Sequence, residues 1–378
     1  MIGLHSLQTQ ISPSYHILCL AARINPDEQD KELLRNTIKA FDDWDSLVTE
    51  AEKYSVAPLL FTSLHDSGIE IPAGAKRQLF ALIQRHRWAN DARAKALNEI
   101  TDACLKHSIQ LIVLKGSFLA HSIYPDPSLR PMSDIDVLVP PDKASEVIQI
   151  LRDLGYSAPE HAGSQYMNEH HHLPGAHITR DGQTILVEVH HDALSGDTDA
   201  SITTNNLTAP IQDFTINGAR NFALGHQDQL RHLYHHMSEP ASRLKLMWCV
   251  DIVFYASHFA NEIDWQALEQ NYPKVINALR LVDYIIPLPA NVRLHVPANK
   301  GPLPAGTGIS ILPLSTILRK PVKDRISDLL YPSNWWLRLY YGISPDNNLF
   351  VTRWFRHPWQ VLNWVSRRIG VSRHNPLR

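Results

Sequence analysis

The chain has 378 residues, 44% of them apolar, and 36 basic residues against 38 acidic ones leave a net charge of -2. That length and apolar share support two or three compact units with cores of their own and exclude a disordered chain. The near balance of charge excludes an overall field that recruits nucleic acid or an anionic membrane, so any such partner must use a local patch.

Cys19, Cys104 and Cys249 are too few and too scattered for a disulfide framework or a cysteine-based zinc site, which makes a reducing cytoplasm the simplest home. The opening residues lack the basic region and long apolar stretch of a secretion signal, and no apolar run approaches the roughly 18 residues of a spanning helix. The expectation is a soluble or at most peripheral protein.

From residue 14 to about 107 the apolar residues recur at three and four spacing, as in "DKELLRNTIKAF" and "VAPLLFTSLHDSG", which predicts helices. The longest spans 73–107, with Leu79, Phe80, Leu82, Ile83, Leu97, Ile100, Cys104 and Leu105 expected on one buried side. This region carries no catalytic cluster and reads as a helical cap or packing unit.

The texture then changes. "QLIVL" (110–114), "DIDVLV" (134–139) and "QTILVEVHH" (183–191) are short, β-branched and bounded by Gly, Pro or Asp, so they read as strands. Helices are predicted from Gly116 to about Tyr124 and over 142–154. From about residue 226 the pattern is helical again, and 286–314, broken by Pro and Gly, reads as an irregular connection. The fold class is therefore α/β (α+β): a small mixed sheet over 108–220 between a helical 1–107 and a helical 221–330. The last 48 residues (331–378) hold seven Arg, no Lys, one acid (Asp346) and five of the nine Trp. That tail is net +6, leaving -8 for the remainder, and is a candidate contact surface.

Two carboxylates stand one residue apart in the second strand. Alternation puts Asp134 and Asp136 on one face and Ile135, Val137 and Val139 on the other. Two like charges side by side are costly unless a cation or protons neutralise them, which points to a bound divalent metal, with hard carboxylate oxygens suited to magnesium. In "TILVEVHH" Glu188 is in phase with His190, and a neighbouring strand could bring Glu188 against the pair. A Gly-Ser step at 116–117, between a strand and a helix, could hold outer phosphates on its amides. Together these features predict a site for a metal-bound triphosphate and nucleotidyl transfer. A lone D-x-D is common in loops and caps, Gly116 could be a turn residue and Ser117 an ordinary N-cap. The β-branched setting and the downstream carboxylate favour the functional reading.

The residues "LKGS...YPDPSLRPMSDIDVLV...VEVHH" resemble the nucleotidyltransferase superfamily that includes DNA polymerase beta, and more closely the bacterial uncharacterised nucleotidyltransferase family. The likeness extends over roughly 15–280. It implies Gly116 and Ser117 as the phosphate-binding turn, Asp134 and Asp136 as the metal pair, and Glu188 as the third carboxylate, where the superfamily often has aspartate. It also matches Lys115 and Arg130 to positions whose charge could neutralise phosphate or orient Asp134; a structural pairing of Arg130 with the aspartates is an equal alternative. The cofactor implied is Mg2+, with two ions expected and Mn2+ possible. The substrate is an NTP (ATP-binding included), and the hydroxyl acceptor could be a small molecule, sugar, protein or RNA. The competing class is a non-catalytic nucleotide-binding or scaffold protein on the same fold, peripheral to a membrane-linked polysaccharide pathway.

The 21 histidines cluster at 170–172, 189–192 and 232–236. None has an HExxH spacing, and solvated or substrate-facing histidines are the better reading than zinc. The His-His-Asp step at 190–192 is similar to a metal phosphohydrolase signature, without identifiable partners. His190 is the histidine best placed to reach the site, as a hydrogen-bond donor to phosphate or a proton acceptor. His232, His235 and His236 could face the cleft from one helix, Lys245 could meet a phosphate, and Asp251 reads as a core or interhelix residue. In the tail, Leu362, Val365 and Ile369 share a helix side near Trp359, with Arg367 and Arg368 available to lipid phosphates or RNA. Docking of that helix on the chain's own helical region is the favoured expectation.

Overall fold

In the computed structural model, the residues described are 12–23, 25–158, 170–194, 201–238, 245–302, 304 and 330–373. Five helices open the chain: α1 (Pro13–Ala21), α2 (Glu28–Ile38), α3 (Trp44–Lys53), α4 (Ala57–Asp66) and the long α5 (Ala73–Lys106). The first three are N-capped by Ser12, Asp27 and Asp43, whose side chains accept from first-turn amides. On α5, Leu79, Ile83, Leu97, Ile100 and Cys104 are buried as the periodicity predicts, but Phe80 and Leu105 are about half exposed. Each follows a buried residue directly, and a helical step of about 100° carries it off the stripe.

The sheet has six strands in the order β3-β4-β2-β1-β6-β5. They are β1 (Ile112–Val113), β2 (Asp134–Leu138), β3 (Ala176–Arg180), β4 (Gln183–His190), β5 (Gln212–Ile216) and β6 (Ala219–Ala223). Three of these, β3, β5 and β6, add to the strands predicted from sequence. They belong to two hairpins whose turns, Asp181-Gly182 and Asn217-Gly218, have positive φ at both residues. These are the Asp-Gly and Asn-Gly pairs that type I′ turns require. The β2–β4 pairing is parallel and β1–β2 antiparallel, so the sheet is mixed.

Between β1 and β2 lies α6 (Lys115–Ser122), and after β2 comes α7 (Ala144–Asp153). Odd-numbered residues of β2 (Ile135, Val137) and of β4 (Val187, Val189) join the main buried cluster with α5 and α7. Leu138, in phase with the two aspartates, packs instead in a second, smaller cluster with Ile112, Leu114 and Leu224. The aspartates therefore lie on the face away from the main core.

The C-terminal helices are α8 (His226–Ser238), α9 (Leu246–His258), α10 (Trp265–Asn271), α11 (Pro273–Val282), the single turn α12 (Ala290–Arg293), α13 (Asn334–Tyr341) and α14 (His357–Arg373). Within the 286–314 connection, 286–302 and 304 are described and hold only the single turn α12, while 303 and 305–314 lie outside the described residues.

Arg130, in the segment entering β2, ties the sheet to α9. It donates from Nη2 and Nε to the carboxylate of Asp251 at 2.8 and 3.3 Å, and the Tyr124 hydroxyl donates to the same carboxylate at 2.8 Å. All three residues are buried. Asp251 is thus a core residue, the first of its two expected roles, and it ties α9 to the segment entering β2 rather than to another helix. Asp251→Ala strands a buried guanidinium, and urea denaturation should register a loss of about 3–5 kcal/mol.

Candidate active site

Strand pairing brings the carboxylates together. In the parallel register Asp134 lies opposite Leu186, Asp136 opposite Glu188 and Leu138 opposite His190, so Asp136 and Glu188 are direct neighbours on one face. Potential ligand atoms of Asp136, Glu188 and His190 all lie within 4.8 Å of one another, a donor set of two carboxylates and an imidazole that could hold a metal ion. Asp134 is outside that close group but on the same face.

Asp136 is only 3% exposed. Its Oδ1 accepts from Lys115 Nζ at 3.2 Å and lies 3.0 Å from His190 Nε2. The same imidazole nitrogen is 3.7 Å from Glu188 Oε2. Burial would push the Asp136 carboxyl up, but the Lys115 ammonium and the His190 imidazole prevail and hold it well below the usual range. Asp134 moves the other way: burial first, and then the Asp136 charge, raise it. Two carboxylates two residues apart are thus driven in opposite directions, as expected when neighbouring groups share one pool of positive charge.

The Gly-Ser step sits in the first turn of α6, as expected. The N-cap residue Leu114 offers no side-chain cap, so the leading amides of α6 lack that partner. Lys115 has φ of +43°, a left-handed backbone uncommon for a residue with a side chain. At Gly116 a Cβ atom would collide with the Arg130 guanidinium and crowd Met132. Ser117 Oγ is buried and has no hydrogen-bond partner. A buried hydroxyl without a partner, beside uncapped amides, is the environment an anionic oxygen would complete.

Arg130 departs from one expectation: its ion pair is with Asp251, not with Asp134 or Asp136. Lys245 is half-buried; burial and then the nearby Arg130 charge lower its pKa, while Asp134 acts to raise it. It therefore stands in the electrostatic reach of the site.

Of the histidines, His171 and His172 flank His190, with ring centroids 5.2 Å from it in each case. Residue 172 pairs with 190 as an isolated β-bridge. His232 and His236, one turn apart on α8, are both held well below the usual histidine range, first by burial and then by Lys115. The residues after His190 do not enter the site. His191 Nε2 lies 2.8 Å from the His170 carbonyl, and Asp192 accepts from the amides of Leu194 and Ile202. The His-His-Asp step is a loop-forming feature.

Sequence reasoning missed Arg93. It reaches from α5 to donate to the Ser133 carbonyl at 3.1 Å, directly before Asp134, and Nε and Nη1 are buried without partners. Burial lowers its pKa while Asp134 opposes that. Asn90 holds the same segment by donating to the carbonyls of Pro127 and Arg130. The signal was available: His86, Asn90 and Arg93 put polar groups at helical spacing on the buried side of α5. A separate cavity of about 480 Å³ at the other end of α6, lined by Phe118, His121, Phe214, His226, Phe259 and Glu262 among others, includes none of Asp134, Asp136 and Glu188.

The mixed sheet thus carries adjacent strand carboxylates beside a helix N-terminus without a side-chain cap, as the sequence resemblance implies for a nucleotidyltransferase. Residues 41–290, well over half of the chain, match the family described as "Uncharacterised nucleotidyltransferase", and the chain belongs to that family. Among solved structures it is similar to an antigenic nucleotidyltransferase-like protein from Paracoccidioides brasiliensis. That match is 16% identical and covers 50% of this chain and 92% of that one, with a TM-score of 0.33, a likeness too slight to carry weight. No curated protein matches the chain.

The neutral histidines set an acid limit. Burial, then the neighbouring histidines, lower His171 to about 3. Because its folded value is depressed, the unfolded chain takes up that proton first, and stability falls as pH drops from about 6.5 toward the folded value. His171→Gln should therefore lessen the stability lost between pH 7 and 5 in urea titrations. The expected reduction is about 1 kcal/mol, discounted for the partial contact of the ring with solvent.

Proposed function

We propose that the chain is a divalent-metal-dependent nucleotidyltransferase that moves an NMP from an NTP to a hydroxyl acceptor and releases pyrophosphate. The observation that carries this reading is the parallel register that sets Asp136 against Glu188, with Asp134 on the same face, beside the buried and unpartnered Ser117 hydroxyl.

The donor set fits a hard divalent cation: Asp136 and Glu188 would hold it, with Asp134 as the third carboxylate and His190 within the same group. Magnesium is the reading favoured by the oxygen ligands, with two ions expected and manganese an alternative. When bound, the metal supplies charge neutralisation at the phosphate oxygens.

The remaining work falls to the chain. The amides at Gly116 and Ser117 and the Ser117 hydroxyl bind the outer phosphates. Lys115 keeps Asp136 ionised and adds positive charge at the helix start, and Lys245 contributes from α9. The acceptor oxygen forms a bond to the α-phosphorus as the bond from that phosphorus to the β-phosphate bridging oxygen breaks, so pyrophosphate leaves with that electron pair. The acceptor proton passes to Glu188, the one of the Asp136–Glu188–His190 group with substantial solvent contact, or to water. Arg93 and Asn90 act as positioning residues, fixing the backbone that carries Asp134.

One observation favours the second reading, a non-catalytic nucleotide-binding or scaffold protein. The Lys115 ammonium already supplies Asp136 with a positive partner.

Melting each NTP mixture with and without Mg2+ separates the two. A ligand at 100 times its Kd stabilises by about 2.7 kcal/mol, so one NTP should raise Tm only when Mg2+ is present, and Asp134→Asn/Asp136→Asn should erase the shift. Pyrophosphate release over an acceptor panel should be lost in Asp136→Ala. Intact release in that variant rules out this site, and a magnesium-dependent shift without release with any acceptor favours the scaffold reading.

A further inference from the structure

The tail beyond the family-matched region begins as a packed element. Trp335 on α13 is fully buried and donates to the Leu281 carbonyl at 3.1 Å, and the Tyr234 hydroxyl of α8 donates to the Leu339 carbonyl at 3.0 Å. His357, at the start of α14, is also buried, in ring contact with Trp336 and Tyr341. Among the described residues around that anchor, several large apolar side chains are exposed.

Val351, Phe355, Trp359 and Leu362 are 68, 63, 65 and 58% exposed, and Phe350, Trp354 and Trp364 are each at least half exposed. The first four are spaced by four, four and three residues, with a π-helical turn at Thr352–Arg356, so they form one continuous apolar side. The expectation that this helix docks on the chain's own helical region is therefore overturned for Trp359 and Leu362. The side chains of Val365, Arg367, Arg368 and Ile369 lie outside the described residues. An exposed apolar surface with this aromatic content marks an interaction site.

We infer that this face docks on the surface of a bilayer bearing anionic phospholipids. Charge selects the occupant. Residues 331–378 carry seven Arg against one acid in a chain whose remaining residues are net negative, and Arg356 is exposed beside the aromatic side. Composition agrees, because an exposed helical side of Trp, Phe and Leu suits the headgroup boundary, where amphipathic aromatics and arginine are favoured together. Among the described residues no helix is long and apolar enough to cross a membrane, so the contact is peripheral. An arginine near an anionic surface strengthens such binding, and burial of several aromatic rings strengthens it further.

The test is co-sedimentation of the full chain with vesicles of phosphatidylcholine alone and of phosphatidylcholine with about one-third phosphatidylglycerol, alongside Trp354→Ala/Phe355→Ala/Trp359→Ala. Substitution is preferable to deletion because Trp335 is part of the core, and the three positions are exposed enough for the variant to keep the wild-type circular dichroism and Tm. The full chain should pellet with the anionic vesicles, and the triple variant should partition about tenfold less or weaker. Raising salt to about 0.5 M should weaken binding as well. Equal partitioning of the two proteins, or no pelleting of either, overturns the inference. A dimer seen by light scattering that the triple variant loses, without vesicle binding, assigns the face to a second copy of the chain instead.

Discussion

Asp136 is an almost fully buried carboxylate in a central strand, and such a charge persists only where local partners replace the water it has lost. Lys115 from the start of α6 and His190 from the end of β4 supply those partners, and the parallel β2–β4 register puts all of them within reach of Glu188. The surrounding groups follow from this concentration of charge. Burial, and then the Lys115 ammonium at His232 and His236 and the neighbouring imidazoles at His171, lower the pKa of the three surrounding histidines. Asp134, buried and next to the Asp136 charge, is the carboxylate whose pKa rises.

The second constraint is mechanical. The segment from Tyr124 to Asp134 must present an aspartate face while crossing from α6 into the sheet, and it is held from two sides. Asn90 and Arg93 on α5 take its carbonyls, and Asp251 on α9 takes the Arg130 guanidinium and the Tyr124 hydroxyl. Gly116 is part of the same fit, since Arg130 occupies the space a side chain there would need. The helices on either side of the sheet in sequence are thus coupled to the geometry of the carboxylates.

Much of this was legible in the residues because it depends on local alternation. The shared face of Asp134 and Asp136, the phase of Glu188 with His190 and the long helix α5 all follow from period two or period 3.6. What escaped depends on tertiary choice. The partner of Arg130 is 121 residues away, and spacing alone does not select Asp251 over the nearer aspartates. The hairpins at Asp181-Gly182 and Asn217-Gly218 were readable from their turn pairs, yet their strands are polar on one side and fall below a search for β-branched runs. The tail is the converse case. Its amphipathic pattern was visible, but periodicity says only that a helix has an apolar side and not whether the chain supplies a surface to cover it.

Lys115 joins the electrostatic and mechanical constraints. A left-handed backbone on a residue with a Cβ costs about 1–2 kcal/mol, and it persists only where surrounding contacts fix it. Here β1 ends at Val113, Leu114 donates its amide to the Asp136 carbonyl at 2.9 Å, and the next residue turns into α6 while its ammonium reaches the Asp136 side chain. Two consecutive residues, Leu114 and Lys115, thus touch the backbone and the carboxylate of Asp136. Because the ammonium neutralises Asp136 while the turn sets the amides of Gly116 and Ser117 at a helix start without a side-chain cap, the strain at Lys115 is tied to two features the proposed NTP site would need at once: an ionised carboxylate and helix-start donors. A residue with a neutral side chain at 115 could keep the turn but would leave Asp136 dependent on His190 alone. A straighter connection could keep the ion pair but would re-aim the helix. The left-handed lysine satisfies both demands together.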